Sequence, residues 1–316
     1  MKISQVFLFI VSTVFLFSNC QSATKTESAV REGIKIGDVF NYRFHINNAG
    51  KVGVGAQEMN QVMEQKQDMG FVVKEKTQAG NDLIDFVMLH IELSMSNTVD
   101  GVPAGPAVAF NSSTDKAPEN PGFMLLQGLI GHHNTITIAP NGAIISIDGL
   151  EEKIDSLFNK NTIPGAEQFM MQMKEGFNEE AMKIQLGELM NLSTLDKQIG
   201  DSWEQIVDIA VLPTFVNKLH KTFTLRDRKD GHAILDITGT VEVDPTGTVA
   251  LGAGQFQYDV DVKFKGKIIV EEKNGWMISS NVEQIMSGKM TGTGPSMGGE
   301  QTTNFYSEMN AAIERF

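Results

Sequence analysis

Ile199-Gly200-Asp201-Ser202-Trp203 repeats Ile36-Gly37-Asp38-Val39-Phe40, and each copy opens a run of expected strands. The runs echo one another further on. Phe223-Thr224-Leu225-Arg226-Asp227-Arg228, then Gly231 and Leu235-Asp236-Ile237, answer Phe71-Val72-Val73-Lys74-Glu75-Lys76, then Gly80 and Asp85-Phe86-Val87. Repetition on this scale suggests a duplicated unit, the other reading being convergent strand chemistry, since the shared features are mostly apolar pattern plus Gly and Asp. In each copy Gly supplies the turn backbone, Asp a local side-chain hydrogen bond and the aromatic a core plug, so the motif specifies a strand entry. The other reading, a paired recognition surface, would need folding to bring the copies together.

In the first copy Val87, Leu89, Ile91, Leu93 and Met95 alternate with Met88, His90, Glu92 and Ser94, the period of a strand with one wet face. Residues 99–122 carry four of the nine prolines and are expected to hold no regular element. Thr135 to Ile147 reads as a hairpin turning at Pro140-Asn141-Gly142. Helical spacing follows. Leu150, Ile154, Leu157 and Phe158 share one face; Phe169, Met173 and Phe177 share another beyond Pro164-Gly165. Asn178 is placed to cap a third helix with Glu179 and Glu180 at its positive end and Met182, Leu186, Leu189 and Met190 on its apolar side. In the second copy Leu235, Ile237, Val241 and Val243, then Tyr258, Val260, Val262 and Phe264, alternate with polar residues. A hairpin is expected around Lys273-Asn274-Gly275, and Thr302–Phe316 as a last strand with a frayed end.

The chain is thus expected to be α+β: a mainly antiparallel curved sheet, a clam or half-barrel, of two related modules with a central helical insert. Its expected parts are a signal peptide over 1–19, a tether over 20–32, a first β module over 33–149, the insert over 150–192 and a second β module over 193–316.

Met1-Lys2 followed by an uncharged apolar segment to Phe17 reads as an export signal, too short to span a bilayer. Cys20 is the only cysteine, so an internal disulfide is excluded and stability must come from packing. Leu16-Phe17-Ser18-Asn19-Cys20 resembles the bacterial lipobox, with Phe17 and Asn19 where small residues are usual. That resemblance implies that Cys20 becomes an acylated first residue, palmitate being one such acyl group, and that the protein sits in the cell envelope on an outer-membrane, periplasmic or surface face. The chain has 26 Lys and Arg against 39 Asp and Glu, a net −13, and loss of residues 1–19 removes Lys2 and no acid. Nucleic acid is therefore not an expected partner.

Thr135 to Gly149, the helical stretch, Ile199-Gly200-Asp201-Ser202-Trp203 and Phe223-Thr224-Leu225 together resemble a bacterial exported-lipoprotein family whose domain has no assigned function. The resemblance extends over about residues 33–310. It implies a curved antiparallel sheet with helices on its concave side and brings no catalytic residue with it.

No catalytic motif is legible in either copy, and an enzyme, a cofactor or a metal site is not expected. His132 and His133 are adjacent and would point to opposite faces of a strand, and the other histidines lack ligand spacing. Asp259 and Asp261 share a strand face with Lys263, which reads as a solvated charge ladder. The methionines carry more. Met170, Met171, Met173, Met182 and Met190 crowd the helical insert, and methionine suits a greasy surface that must adapt. Core packing, an adaptable apolar pocket and a protein-contact face all fit. The expected function is non-enzymatic binding of a hydrophobic ligand between the sheet and the helix, with Phe169, Met173, Phe177, Met182, Leu186 and Met190 as the lining; the alternative is a structural or protein-interaction scaffold of the envelope. The expected partners are the membrane, through the lipid, and a hydrophobic small molecule or an envelope protein.

Overall fold

The computed structural model describes residues 33–54, 57–115, 120–140, 142–160, 179–190, 192, 194–212, 215–242, 248–251, 254–293 and 300–316. Cys20, Phe169, Met170, Met171, Met173, Phe177, Asn178 and Val243 lie outside these residues. One antiparallel sheet dominates. Its main path runs β7 (Ile144–Asp148), β6 (His133–Ile138), β3 (Asp82–Val99), β2 (Gln57–Lys76), β1 (Val39–Val54), β14 (Gln301–Arg315), β13 (Met277–Thr293), β12 (Gly254–Glu271), β10 (His232–Glu242), β9 (Phe215–Lys229) and β8 (Ser202–Leu212). Short strands β4 (Val102–Pro103) and β5 (Val108–Asn111) pair with β3, and β11 (Thr248–Leu251) pairs with β12. Three helices accompany the sheet among the described residues: α1 (Pro121–Leu129), α2 (Leu150–Lys160) and α3 (Glu179–Met190).

The two Ile-Gly-Asp turns do the same work. Gly37 N donates to Val73 O at 2.8 Å, Val73 N donates to Asp38 O at 3.0 Å, and Asp38 Oδ2 accepts from Lys35 N at 2.8 Å. In the second copy Gly200 N donates to Leu225 O at 2.7 Å, Leu225 N to Asp201 O at 2.9 Å, and Asp201 Oδ2 accepts from Gln198 N at 2.8 Å. Gly37 and Gly200 hold φ of 93° and 98°, which glycine adopts without steric cost. After each turn the strands come in the same order: β1, β2, β3 and the β6–β7 hairpin, then β8, β9, β10 and the β12–β13 hairpin. The halves join where β1 pairs with β14, Tyr42 opposite Arg315 and Phe44 opposite Ile313.

The sheet is open and curved. Helix α3 packs against both β7 and β13, which are six strand steps apart along the sheet. Flat, those steps would span about 29 Å, while a helix of this length is about 18 Å long, so the sheet must curl around it. Glycines permit the curl. Gly239, Gly266 and Gly288 stand on the inner face of β10, β12 and β13, where a Cβ at Gly239 would meet His220 O at 2.3 Å and one at Gly288 would meet Asp259 O at 2.2 Å. Phe264 covers Gly239, its ring taking the space a side chain there would need.

Several expectations change. In β3 the register steps from Asp68 opposite His90 to Met69 opposite Met88, so Leu89 is an extra, bulged residue. The bulge reverses the inward phase: Phe86 and Met88 are buried before it, Ile91 and Leu93 after it, and Leu89 is 45% exposed. Residues 99–122 do hold regular structure, β4, β5 and the start of α1; Pro103 is tolerated because β4 is a two-residue edge strand that needs no further donor. Helix content is not confined to the central insert, because α1 precedes the β6–β7 hairpin: Asn120 Oδ1 caps it by accepting from Gly122 N at 2.9 Å, and Pro121 opens it. The last strand is not frayed. Phe316 N donates to Asn41 O at 3.0 Å and the Arg43 guanidinium lies 5.0 Å from the Phe316 ring centre.

Candidate functional site

The inner face can be read as rows of side chains stacked from the base, where the Ile-Gly-Asp turns lie, to the opposite rim. The basal row is aromatic. Phe40, Phe71 and Phe86 stand opposite one another on β1, β2 and β3, and Trp276, entering β13, stacks on Phe40 at 4.1 Å and meets Phe71 edge-on at 5.8 Å. Met182, Leu186, Leu189 and Met190 of α3 join the same buried core, and Leu192 N fixes the helix exit to Gly275 O at 3.2 Å.

A polar cluster closes this base. Tyr42 Oη donates to Met277 O at 2.6 Å, and Arg315 Nη1 donates to Glu271 Oε2 at 2.8 Å while its guanidinium lies over Phe40. Burial pushes the Tyr42 hydroxyl far up, against the opposing pull of Arg315. Burial alone would also raise Glu271, but hydrogen bonds from Arg315 and Asn274 and the guanidinium charge outweigh it and hold the carboxyl below the ordinary glutamate range. A carboxyl depressed in the folded state contributes stability above its unfolded value of about 4.3, lost as pH falls through the lower folded value. Urea titrations of wild type and Glu271→Gln at pH 7 and pH 3 check this: the stability gap between the two is expected to shrink at pH 3, and a constant gap would contradict it.

Toward the rim the chemistry changes. One row runs Met95, Met63, Asn48, Met309, Gln284, Phe264 and Gly239 to Lys221, crossing β3, β2, β1, β14, β13, β12, β10 and β9. The next runs Asn97, Gln61, Gly50, Ser307, Met286 and Val262. Methionine and amide side chains therefore stand side by side on the inner face, with Phe264 among them, above the aromatic basal row. Some of the polar atoms satisfy one another: Ser307 Oγ donates to Asn48 Oδ1 at 2.6 Å, and Gln61 Nε2 lies 3.1 Å from Met95 Sδ. Two acceptors, Gln284 Oε1 and Asn97 Oδ1, are buried with no partner among the described residues. Burial weakens toward the rim, Met63 and Met286 being buried and Met59 and Met290, four residues further along each strand, only half-buried. Tyr258, opposite Met290, is pushed up to about 12 by burial.

The residues proposed from the sequence are only partly placed. Met182, Leu186 and Met190 are 1%, 0% and 0% exposed, so a ligand could reach them only from inside the curl. The rim methionines were missed because they come from strands far apart in sequence, and only the register of β1 with β14 assembles them. Their signal in the sequence was a methionine recurring on the inward phase of a strand, Met59 and Met63 in β2 and Met286 and Met290 in β13.

The outer face is charged. Lys263 pairs with Asp261 at 2.5 Å, Lys289 with Asp259 at 3.2 Å and Lys265 with Glu283 at 3.3 Å, the solvated ladder expected there. A membrane-spanning barrel carries an apolar band in these positions. No helix among the described residues is long and apolar enough to cross a membrane. His133 pairs with Asp85 at 2.9 Å, and His132 Nε2 lies 3.1 Å from Gly149 O. Among the described residues no group of three or more His, Cys, Asp or Glu side chains is placed to hold a metal ion.

The molecule is thus an open, curled antiparallel sheet around an apolar core, with a base and a rim of different chemistry. It belongs to the Family of unknown function (DUF6263), whose model matches residues 87–277. No curated protein matches the sequence. Among solved structures it is similar to one described as lipid-protein interactions in lipovitellin, with 11% identity and a TM-score of 0.48, over 90% of this chain and 25% of that one. It thus spans about a quarter of that protein's length. OccK7 of Pseudomonas aeruginosa is matched at 4% identity and a TM-score of 0.27, over 89% of this chain and 99% of that one. Neither likeness bears on function.

Proposed function

We propose that the chain is a non-enzymatic binding protein of the bacterial cell envelope, tethered by a lipid on Cys20, that holds a hydrophobic ligand inside the curl of its sheet. The observation that carries this reading is the inner-face band of methionines above the aromatic base. Methionine has three rotatable bonds and a polarizable sulfur, so a surface made of it admits apolar chains of varied shape where branched or aromatic side chains would fix one packing. The buried apolar face of α3 would form the inner wall, and the acidic, ion-paired outer face would keep the body in water. Native mass spectrometry of the full chain purified from its own envelope is expected to show a co-purifying apolar molecule. Cys20→Ser is expected to move the folded protein into the soluble fraction, because a single acyl anchor would be the main link to the bilayer. If no apolar molecule co-purifies and the delipidated protein takes up none, the binding reading falls and an envelope scaffold takes its place.

A further inference from the structure

We infer that the rim is the mouth of the ligand site and that the buried amide oxygens of Gln284 and Asn97 are two separate positions at which a ligand head donates a hydrogen bond. Its class is then a neutral molecule with one long apolar chain and a head bearing hydroxyl or amide N–H donors. The inference rests on the binding reading above and narrows it.

Gln284 is 3% exposed on β13, flanked across the strands by Met309 and Phe264, and its Oε1 has no partner among the described residues. Asn97 Oδ1, on β3 on the far side of β1 and β2, is buried and likewise unpartnered. A buried acceptor left without a donor destabilises the fold, so one that persists on an inner face calls for a donor supplied from elsewhere. Other polar groups nearby do not lack partners: Asn48 Oδ1 is taken by Ser307, and Gln61 donates toward Met95. What remains between β3 and β13 is a face that presents acceptors among methionines, the buried Lys221 of the same row lying three strands beyond Gln284 on β9. A hydrocarbon offers such acceptors nothing, and an ionised carboxylate would add a further acceptor and repel them. Four strand steps, about 19 Å along the sheet, separate the two oxygens, so a hydroxylic or amidic head satisfies one of them at a time, and its chain can lie along the methionines, whose side chains re-pack without backbone movement.

The test uses the delipidated full chain and three ligands with one acyl chain in common: 1-monooleoylglycerol, oleate and methyl oleate. Monooleoylglycerol is expected to bind most tightly. Gln284→Met, close to the native side chain in size, is expected to weaken it about tenfold and to leave methyl oleate unchanged, since only the donor-bearing head loses its acceptor. The same variant is expected to raise the thermal midpoint of the ligand-free protein, because the orphan acceptor is gone; a purely structural amide would show the reverse. Asn97→Leu provides an independent second variant. Tightest binding of oleate, equal binding of monooleoylglycerol and methyl oleate, or an unchanged affinity in both variants would overturn this inference and leave the binding reading standing. Failure of all three ligands to bind the wild type would overturn both.

Discussion

Gly239→Val is expected to cost about 3 kcal/mol or more, at the upper end of what overpacking an interior does. A Cβ at this position would lie 2.1 Å from Phe264 Cζ and 2.3 Å from His220 O. The ring can be displaced at modest cost by a change of rotamer, but the carbonyl belongs to the backbone of β9, which is paired with β10. Relieving the contact therefore means separating two paired strands. Gly239→Ala is expected to lose most of the same stability, because the clash is at Cβ. Gly53→Val is the control: its closest neighbour would be Asn304 O at 3.9 Å, and a β-branched residue suits a strand, so little change is expected. Urea unfolding of the three variants measures the differences. If Gly239→Val unfolds at the same midpoint as Gly53→Val, the close approach of strands is not what holds glycine there.

Trp276→Ala is the second large loss, about 3–5 kcal/mol from lost transfer free energy and the cavity left behind. Trp276 is 0% exposed and touches Phe40, Tyr42 and Phe71. The ring thus ties β13 to β1 and β2 across the junction between the halves, and neighbouring side chains fixed on separate strands cannot collapse into its place. Trp276→Phe is expected to lose less than half as much. It keeps an aromatic against Phe40 and removes the indole Nε1, which is buried without a partner among the described residues. Chemical denaturation followed by far-UV circular dichroism checks both, and equal losses for Ala and Phe would show that stacking contributes nothing beyond what the orphan donor costs.

Local chemistry was legible in the sequence, and long-range pairing was not. The two Ile-Gly-Asp turns, the bends at Gly142 and Gly275 and the apolar face of α3 follow from residues within a few positions of one another, because turn backbone and helix spacing are local properties. Helix α1 was missed although Asn120-Pro121 is a helix-opening pair; the prolines and glycines before it masked the signal. The Leu89 bulge was missed for a different reason. An extra residue leaves the apolar alternation intact on either side while exchanging the faces, so the pattern alone placed Leu89 inside. The rim band was invisible because a methionine in β2 and one in β14 become neighbours of Asn48 only after β1 has paired with both strands. Pairing of that kind is decided by the whole sheet.

That central pairing has a consequence for how the protein is completed. β1 comes first in sequence among the strands of this sheet and β14 follows all the others, yet they are adjacent in the middle of the sheet, with Tyr42 opposite Arg315. Until residues 301–315 are available, one edge of β1 and one edge of β13 both stand open, two long rows of unpaired amides and carbonyls. Contacts this distant in sequence form slowly, and open edges are templates for pairing with other chains. Strand β14 therefore sets how long that exposure lasts: the two edges stay open to mispairing until residues 301–315 have added between them.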